Sequence, residues 1–194
     1  MLTFDEAAHV YRWDGEVVPS VTQVLHAWSG IARLDESILA AARQLGTDVH
    51  LATALDDQDD LDSDSVDEMV LPYLQAWRIF CEFEDFEAFE VERMVYSKRH
   101  GYAGTFDRYG RMRKRRKPVL LDIKTGTPDP THGPQTAAYA EAADLGVNGP
   151  DRCTVYLQPG RKPPYLVEWH KSAGDLAIFL AALTHYRWRE RYGL

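Results

Sequence analysis

The sequence predicts a single α/β domain over residues 1–194, with a mixed central β-sheet flanked by helices. Three observations predict this fold class. Strand-like runs follow one another between residues 90 and 125, segments with the helical spacing of apolar residues lie on both sides of them, and the chain shows neither an internal repeat nor a domain linker. With 45% hydrophobic residues, the chain is also long enough to bury a core.

The N-terminal part is predicted to begin with a hairpin over residues 9–19, because strand-like runs flank Asp14-Gly15, a common two-residue turn. A helix is expected from Ser20 to Trp28, since Ser20 and Gln23 have the spacing of a capping box. A longer helix is expected over residues 34–55, where apolar residues recur along one face.

The rest of the chain is predicted to alternate between helices and strands. An acidic insert over residues 56–68 is expected to be a mobile loop, since it holds eight acids and no base. The later elements follow from periodicity: a helix over 66–77, strands near 90–97, 101–107 and 118–125, a helix over 135–145, a strand pair at 153–158 and 165–170, and a last helix from Ser172. Residues 108–117 are expected to be a hairpin loop between the second and third of these strands.

Charge is segregated along the chain. The net charge is −8, but outside the acidic insert 22 bases face 22 acids, and seven of the bases lie between Arg108 and Lys117. Such a basic loop can neutralise several phosphates of a nucleic acid. Its DNA-contacting cations are predicted to be Arg111, Arg113, Lys114, Arg115 and Arg116. Two alternatives remain: a loop that is merely solvated, or one that pairs with the acidic insert.

Composition excludes several other classes of protein. Two cysteines, Cys81 and Cys153, are too few for a disulfide framework or a four-thiolate iron–sulfur cluster. No apolar run approaches the roughly 20 residues of a membrane span. The N-terminal residues “MLTFDEAAHVYRWDG” resemble neither a secretory signal nor a transit peptide. We therefore expect a cytoplasmic protein with reduced thiols and no membrane partner.

Two predicted strands carry acidic residues that could lie together. In “VLLDIKT” alternate side chains share a face, so Asp122 and Lys124 project together while Leu121 and Ile123 point into a core. The hairpin would then place Asp107, from “YAGTFD”, on the neighbouring strand. Two carboxylates held close repel each other unless a cation lies between them, and a hard ion such as Mg²⁺ suits oxygen ligands. The alternative is a structural Asp–Lys pair on a solvated face.

Further polar residues are candidates for the same site. Glu92 could add a third carboxylate, and Glu90 on the same predicted strand face is its rival; a solvated edge explains either. His50, in “GTDVH”, is equally typical of an ordinary surface or core histidine. Gln135 and Tyr139 share a helical face. They could contact a phosphate or orient the lysine, although an amphipathic helix explains them as well.

Taken in order, “GTDVH”, Glu92 before “VYSKRHGYAGTFD”, “LLDIKTG” and “QTAAYA” resemble the motifs of the PD-(D/E)XK nuclease superfamily, in particular its RecB-like and phage-exonuclease branch. The opening “HVYRWDGEVVPSVTQVL” is similar to the start of the phage-type members. The resemblance covers most of the chain. It favours Glu92 over Glu90 because its spacing to “VYS” and “YAGT” fits the family pattern better. Unlike some relatives, the chain lacks the four cysteines of an iron–sulfur cluster, and the acidic insert has no counterpart.

The resemblance implies a role for each candidate residue. Metal binding falls to His50, Glu92, Asp107, Asp122 and the backbone carbonyl of Ile123, and catalysis to Asp107, Asp122, Glu92 and Lys124, with Lys124 orienting or activating the attacking water. Gln135 and Tyr139 would support the site and contact DNA, as would Ser20 and Thr22 in the opening segment. The fold would be a mixed central sheet with helices on both faces.

The implied function is a DNA nuclease that uses one or two Mg²⁺ or Mn²⁺ ions, most simply an exonuclease that acts on linear ends or single strands and leaves 5′-phosphates. Recombination, repair or phage DNA processing are its expected settings. The alternative is a non-catalytic DNA-end-binding or recombination adaptor with the same fold, and a weaker third is a phosphatase of small substrates. Assembly into a homo-oligomer or with a recombination partner protein is left open.

Overall fold

A computed structural model describes residues 1–6, 8–26, 36–146 and 149–194 of the protein. Its helices and strands, in chain order, are β1 (Leu2–Asp5), β2 (Val10–Trp13), β3 (Glu16–Val18), α1 (Val21–His26), α2 (Glu36–Asp57), a single 3₁₀ turn (Ser63–Ser65), α3 (Leu71–Glu84), β4 (Phe86–Ser97), β5 (Tyr102–Met112), β6 (Val119–Lys124), α4 (His132–Ala142), β7 (Asp151–Leu157), β8 (Tyr165–Trp169) and α5 (Asp175–Tyr192).

The central sheet has five strands in the order β4-β5-β6-β7-β8. Strands β6 and β7 are parallel and the other pairs are antiparallel. A parallel pair needs a crossover connection, and α4 lies in the segment that joins β6 to β7. The mixed sheet flanked by helices confirms the predicted fold class. None of the helices in the described ranges has a stretch long and apolar enough to cross a bilayer.

The N-terminal strands form a second, antiparallel sheet in the order β1-β2-β3. The predicted turn joins β2 to β3, and both of its residues, Asp14 and Gly15, have positive φ angles of 51° and 88°, as a tight two-residue hairpin requires. Strand β1 was not predicted, because it has only four residues and none of them is fully buried. A parallel bridge from Ser20 to Ala103 ties this small sheet to the central one.

Two apolar cores cover the two faces of the central sheet. One contains Trp77 and Phe80 of α3 together with Leu121 and Ile123 of β6. The other packs α1, α4 and α5 against the opposite face, where Leu120 points. The side chains of β6 therefore alternate between the cores, as its sequence predicts. Because all six residues except Lys124 are buried, the acidic face of this strand lies under α4 rather than in solvent.

Some predicted boundaries were wrong. Strand β5 continues to Met112, so the basic loop starts at Arg113 and Arg108 is not in it. The acidic insert is also shorter than expected, because Asp56 and Asp57 are the last residues of α2. Helix α3 begins at Leu71, with Pro72 in its first turn, and α4 begins three residues earlier than predicted. Residues 27–28 and 34–35 of two predicted helices lie outside the described residues.

Candidate metal centre

A cavity of about 240 Å³ lies between the two sheets and helices α2 and α4. It brings together eight of the predicted site residues, which are Ser20, Thr22, His50, Asp107, Asp122, Lys124, Gln135 and Tyr139. Larger cavities exist beside Arg152 and beside the basic loop, but their linings contain none of these eight residues. The candidate residues from distant parts of the chain therefore converge on one site.

Three side chains could hold a metal ion, and two of them, His50 and Asp107, line this cavity. Ligand atoms of His50 from α2, Glu92 from β4 and Asp107 from β5 all lie within 4.8 Å of one another. The Nδ1 atom of His50 lies 3.5 Å from Oδ1 of Asp107 and 3.7 Å from Oε1 of Glu92. One imidazole with carboxylate oxygens is a donor set that suits a divalent cation.

Electrostatics at this group reflect the crowding of negative charge. Burial works to lower the pKa of His50, but the nearby charges of Asp107 and Glu92 outweigh it, so the pKa is raised. Burial raises the pKa of Asp107, and repulsion from Glu92 adds to the effect. A proton on His50 thus compensates the carboxylates when no other cation is bound. Since a ligand histidine must be neutral, an ion would replace that proton.

Of the two competing glutamates, Glu92 joins the group and Glu90 does not. Glu90 forms an ion pair with Arg93 at 2.7 Å. Glu92 has a φ angle of +47° in the middle of β4, a conformation that costs a non-glycine residue about 1–3 kcal/mol. Its neighbours Val91 and Arg93 pair with Arg108 and Phe106 of β5, on either side of Asp107. The surrounding structure therefore holds Glu92 in a strained backbone beside the other two side chains.

Asp107 is fixed between two strands. Its Oδ2 accepts a hydrogen bond of 2.5 Å from the backbone N–H of Ile123, while its Oδ1 faces His50. The pairing of Arg108 with Leu121 places Asp107 next to Asp122 in the continuation of the same register. Ile123 thus positions the site through its N–H, and binding of an ion by its carbonyl stays a prediction.

Asp122, which is buried, and Lys124, which is partly exposed, form an ion pair at the end of β6. The Nζ of Lys124 donates to Oδ1 of Asp122 at 2.8 Å, and the Nε2 of Gln135 donates to the same oxygen at 3.1 Å. Oδ2 lies 2.7 Å from that Nζ, but not in hydrogen-bonding geometry, so it is a buried oxygen without a hydrogen-bond partner. This oxygen has an ion-pair contact with Lys124 but accepts no hydrogen bond, so it keeps the capacity to meet a bound cation.

Burial raises the pKa of Asp122, against the lowering effect of Lys124. For Lys124, burial works to lower the pKa, but the attraction of Asp122 and Asp107 outweighs it and the pKa is raised. The ammonium is therefore charged at neutral pH. In this state Lys124 can donate hydrogen bonds, and its role in orienting or activating water stays a prediction.

Gln135 and Tyr139 support this pair from α4. The Nε2 of Gln135 also lies 3.2 Å from the hydroxyl of Tyr139, and both side chains are buried. The ring of Tyr139 lies against Gly104 so closely that a Cβ atom there would be 2.6 Å from its Cε1 atom. The glycine of “YAGT” therefore makes room for a supporting side chain.

Four lining residues were not among the predicted site residues: His9, Tyr11, Gly104 and Thr105. His9 and Tyr11 of the N-terminal sheet line one wall, and the hydroxyl of Tyr11 lies 2.8 Å from Oγ1 of Thr105. Their segment indicated only a hairpin. The contacts depend on the bridge between Ser20 and Ala103, which joins residues more than 80 positions apart, and no local pattern encodes such a bridge.

The basic loop is not brought to this cavity. Arg113 follows Asp107 by six residues along β5, roughly 20 Å of extended strand. Arg111 forms an ion pair with Glu87, Arg113 with Asp85, and Arg115 with Asp151. Arg115 also stacks on Trp169 at 3.5 Å. Together with Lys114 and Arg116, these cations lie at the opposite end of the β5–β6 hairpin.

The acidic segment contacts the basic one through Asp57 and Arg108. The acidic partners of Arg111, Arg113 and Arg115 all come from outside residues 56–68. Within that acidic segment, Asp57 forms an ion pair of 2.6 Å with Arg108, a contact buried beneath α2 rather than a surface clamp. Asp56 pairs with Arg78.

Comparisons with known proteins do not assign the chain to a family. The models of known protein families give no match to the chain, and no curated protein matches it significantly.

The raised pKa values of Asp107 and Asp122 predict how stabilisation by a metal ion depends on pH. A carboxylate whose folded-state pKa is raised contributes to stability at low pH and loses that contribution as pH rises through this pKa. The metal-free protein is therefore penalised for ionised Asp107 and Asp122, and a divalent ion removes the penalty. We expect the increase in Tm caused by Mg²⁺ or Mn²⁺, relative to EDTA, to be larger near pH 8 than near about pH 5.5. Equal increases at both pH values would contradict this, and Asp107→Asn should reduce the pH dependence.

Proposed function

We propose that the protein is a metal-dependent deoxyribonuclease, most simply an exonuclease that hydrolyses phosphodiester bonds of linear DNA and leaves 5′-phosphates. The observation that carries the proposal is the convergence of Asp122 and Lys124 with His50 and Asp107 on one cavity, where ligand atoms of His50 and Asp107 also lie within 4.8 Å of a Glu92 carboxylate oxygen. This arrangement supports the resemblance to PD-(D/E)XK nucleases of the RecB-like and phage-type branch, and with it a role in recombination, repair or phage DNA processing.

Mg²⁺ or Mn²⁺ is the ion that the donor set favours, because carboxylate oxygens with a single imidazole suit hard divalent cations. His50, Glu92 and Asp107 would hold one ion, and Asp122 with its free oxygen would share it or hold a second. When bound, such ions lower the pKa of a coordinated water and neutralise charge on the phosphate.

The protein's own residues supply position and charge. Lys124 places an ammonium beside Asp122, where it can hold a phosphate oxygen or the attacking water. Gln135 fixes the Asp122 carboxylate in turn. The hydroxyl groups of Ser20 and Thr22 line the same cavity and can donate hydrogen bonds to a phosphate. No serine or cysteine nucleophile is required by this chemistry.

The size of the cavity favours a polymeric substrate over a small one. Its volume of about 240 Å³ is below the roughly 300–1,000 Å³ of pockets that enclose a small molecule. A phosphodiester group with its ions would occupy the cavity, and the attached sugars and bases would lie outside along the strand. A phosphatase of small substrates is therefore the weaker alternative.

The decisive assay compares end-labelled linear DNA with circular DNA in the presence of Mg²⁺ or Mn²⁺. We expect degradation of the linear substrate only, abolished by EDTA and in an Asp122→Ala variant. Nicking of circles would make the protein an endonuclease. Binding of DNA ends without cleavage under every metal condition would contradict the proposal and favour the adaptor.

The basic loop gives a separate prediction about DNA affinity. If the strand continues from the cavity to the far end of the hairpin, Arg113, Lys114 and Arg116 contact phosphates. Changing all three to glutamine should then reduce the slope of log K against log salt by about 0.7–0.9 for each phosphate that is no longer neutralised. A variant with Arg161, Arg189 and Arg191 changed to glutamine serves as the charge-matched control. An equal slope in the two variants would place the loop outside the DNA interface.

A further inference from the structure

Arg108 is an arginine whose exposed fraction is 0%, next to the candidate metal ligands but not among them. Its guanidinium donates hydrogen bonds to Oδ2 of Asp57 at 2.6 Å, Oε1 of Glu92 at 2.9 Å, the backbone oxygen of Asp107 at 2.7 Å and Oγ1 of Thr53 at 3.1 Å. A buried charge is retained only where such partners satisfy it. Arg108 is therefore part of a hydrogen-bond network in the protein interior and is not a solvated side chain.

The network joins the elements that carry the metal-binding group. Thr53 and Asp57 follow His50 by three and seven residues on α2, which places the three on one face of the helix. Arg108 holds this face to β5 and, through Glu92, to β4. Trp77 of α3 completes the enclosure: its ring lies 5.5 Å from the guanidinium, and its Nε1 donates to Asp57 at 2.9 Å.

Arg108 also holds the strained residue of the site. Glu92 needs an external contact to keep its φ angle of +47°, and the hydrogen bond from Arg108 engages its Oε1. A carboxylate has two oxygens, each able to accept more than one contact. The side chain can thus be held by Arg108 and still offer an oxygen to an ion.

We propose that Arg108 is a positioning residue of the metal centre: it fixes Glu92, and the helix that carries His50, in the arrangement that binds the ion, without touching ion or substrate. The proposal rests on the metal centre of the proposed function but not on its substrate.

Arg108 could affect metal affinity through its charge or by positioning other residues. The two effects predict opposite changes in affinity when Arg108 is removed, so an experiment can separate them. A cation near the site repels a metal ion, so charge alone would make affinity rise when Arg108 is removed. If Arg108 acts by position, its loss lets Glu92 and α2 move and affinity falls. The double variant Arg108→Met/Asp57→Asn is the sharpest test, because it removes one charge of each sign and keeps the net charge of the protein.

The experiment is calorimetric titration of the metal-free protein with Mn²⁺, in the absence of DNA. We expect the charge-neutral double variant to bind Mn²⁺ about 10–100-fold more weakly than the wild type, the usual effect of losing a partner that orients a ligand. The matched control is Arg78→Met/Asp56→Asn, which removes the ion pair at the same end of α2, where the arginine side chain is 47% exposed. The control should bind Mn²⁺ like the wild type.

Arg108→Lys provides a second variant that keeps the charge but not the planar group with several donors. It should also weaken Mn²⁺ binding, so the proposal stays testable if the double variant fails to fold. Wild-type affinity in the double variant or in Arg108→Lys would overturn the positioning role. Failure of the wild type to bind Mn²⁺ would overturn the metal centre itself, and metal binding without DNA cleavage would overturn only the nuclease proposal.

Discussion

Replacing Asp122 with asparagine is expected to reduce metal-dependent cleavage of linear DNA by a factor on the order of 10³ or more. The substitution keeps the volume of the side chain but replaces one carboxylate oxygen with an NH₂ group, so the side chain becomes a neutral amide. The Asp122 carboxylate lies in the same cavity as His50 and Asp107, and the neutral side chain can no longer attract a cation there. The loss should therefore appear in kcat at saturating DNA and should not be recovered by more Mg²⁺.

The matched control for this variant is Asp175→Asn. Asp175 is also buried and also paired with a cation, Arg152, at 2.9 Å, but it is absent from the lining of the metal cavity. Both variants leave a partly buried cation without its charged partner, so both should lower the free energy of unfolding. Only Asp122→Asn should abolish cleavage by the folded protein. A catalytically active Asp122→Asn protein would contradict the assignment.

Replacing Gly104 with alanine should destabilise the protein by about 1–3 kcal/mol, the cost of overpacking a core. The new Cβ atom would lie 2.6 Å from Cε1 of Tyr139 and 3.3 Å from Cγ2 of Val21. Neither neighbour can move freely, because both are buried in the same core. Displacement of Tyr139 also disturbs Gln135, which holds Asp122, so cleavage should fall together with stability.

Chemical denaturation measures this effect, with Gly126→Ala as the control. Gly126 lies two residues after Lys124, but a Cβ atom there meets nothing within 4 Å, so the change should be within about 0.5 kcal/mol. Tyr139→Ala in the Gly104→Ala background should cost less than the sum of the two single changes, because it removes the clash. Strict additivity would show that the two residues do not compete for the same space.

The part of the site that is local in sequence could be predicted. Asp122 and Lys124 follow from the alternation of a single strand, since two charged residues on one face of an otherwise apolar segment require an explanation. Asp107 follows from one hairpin. The choice of Glu92 rested on the family resemblance alone. Glu92 differs from Glu90 in its positive φ angle, and this conformation cannot be predicted from the sequence because the residue is not a glycine.

Arg108 shows why the rest could not be predicted. In the sequence it is the first of seven bases and looks like part of a solvated loop. In the structure it is buried, because Asp57 and Thr53 reach it from a helix more than 50 residues earlier. A run of charges describes a segment as a whole. The burial of each side chain, in contrast, depends on partners that are distant in the sequence. The basic loop was misplaced for the same reason, since β5 continues through residues that appeared too polar for a strand.

The most direct test of the metal centre is an anomalous difference map from crystals of the protein grown with Mn²⁺. We predict a peak enclosed by His50, Glu92 and Asp107, with the free carboxylate oxygen of Asp122 at the same ion or at an adjacent one, and no peak there in crystals of Asp122→Asn/Asp107→Asn. The absence of a peak at saturating Mn²⁺ in the wild-type crystals, with Lys124 and the carboxylates bonded only to one another, would contradict the account.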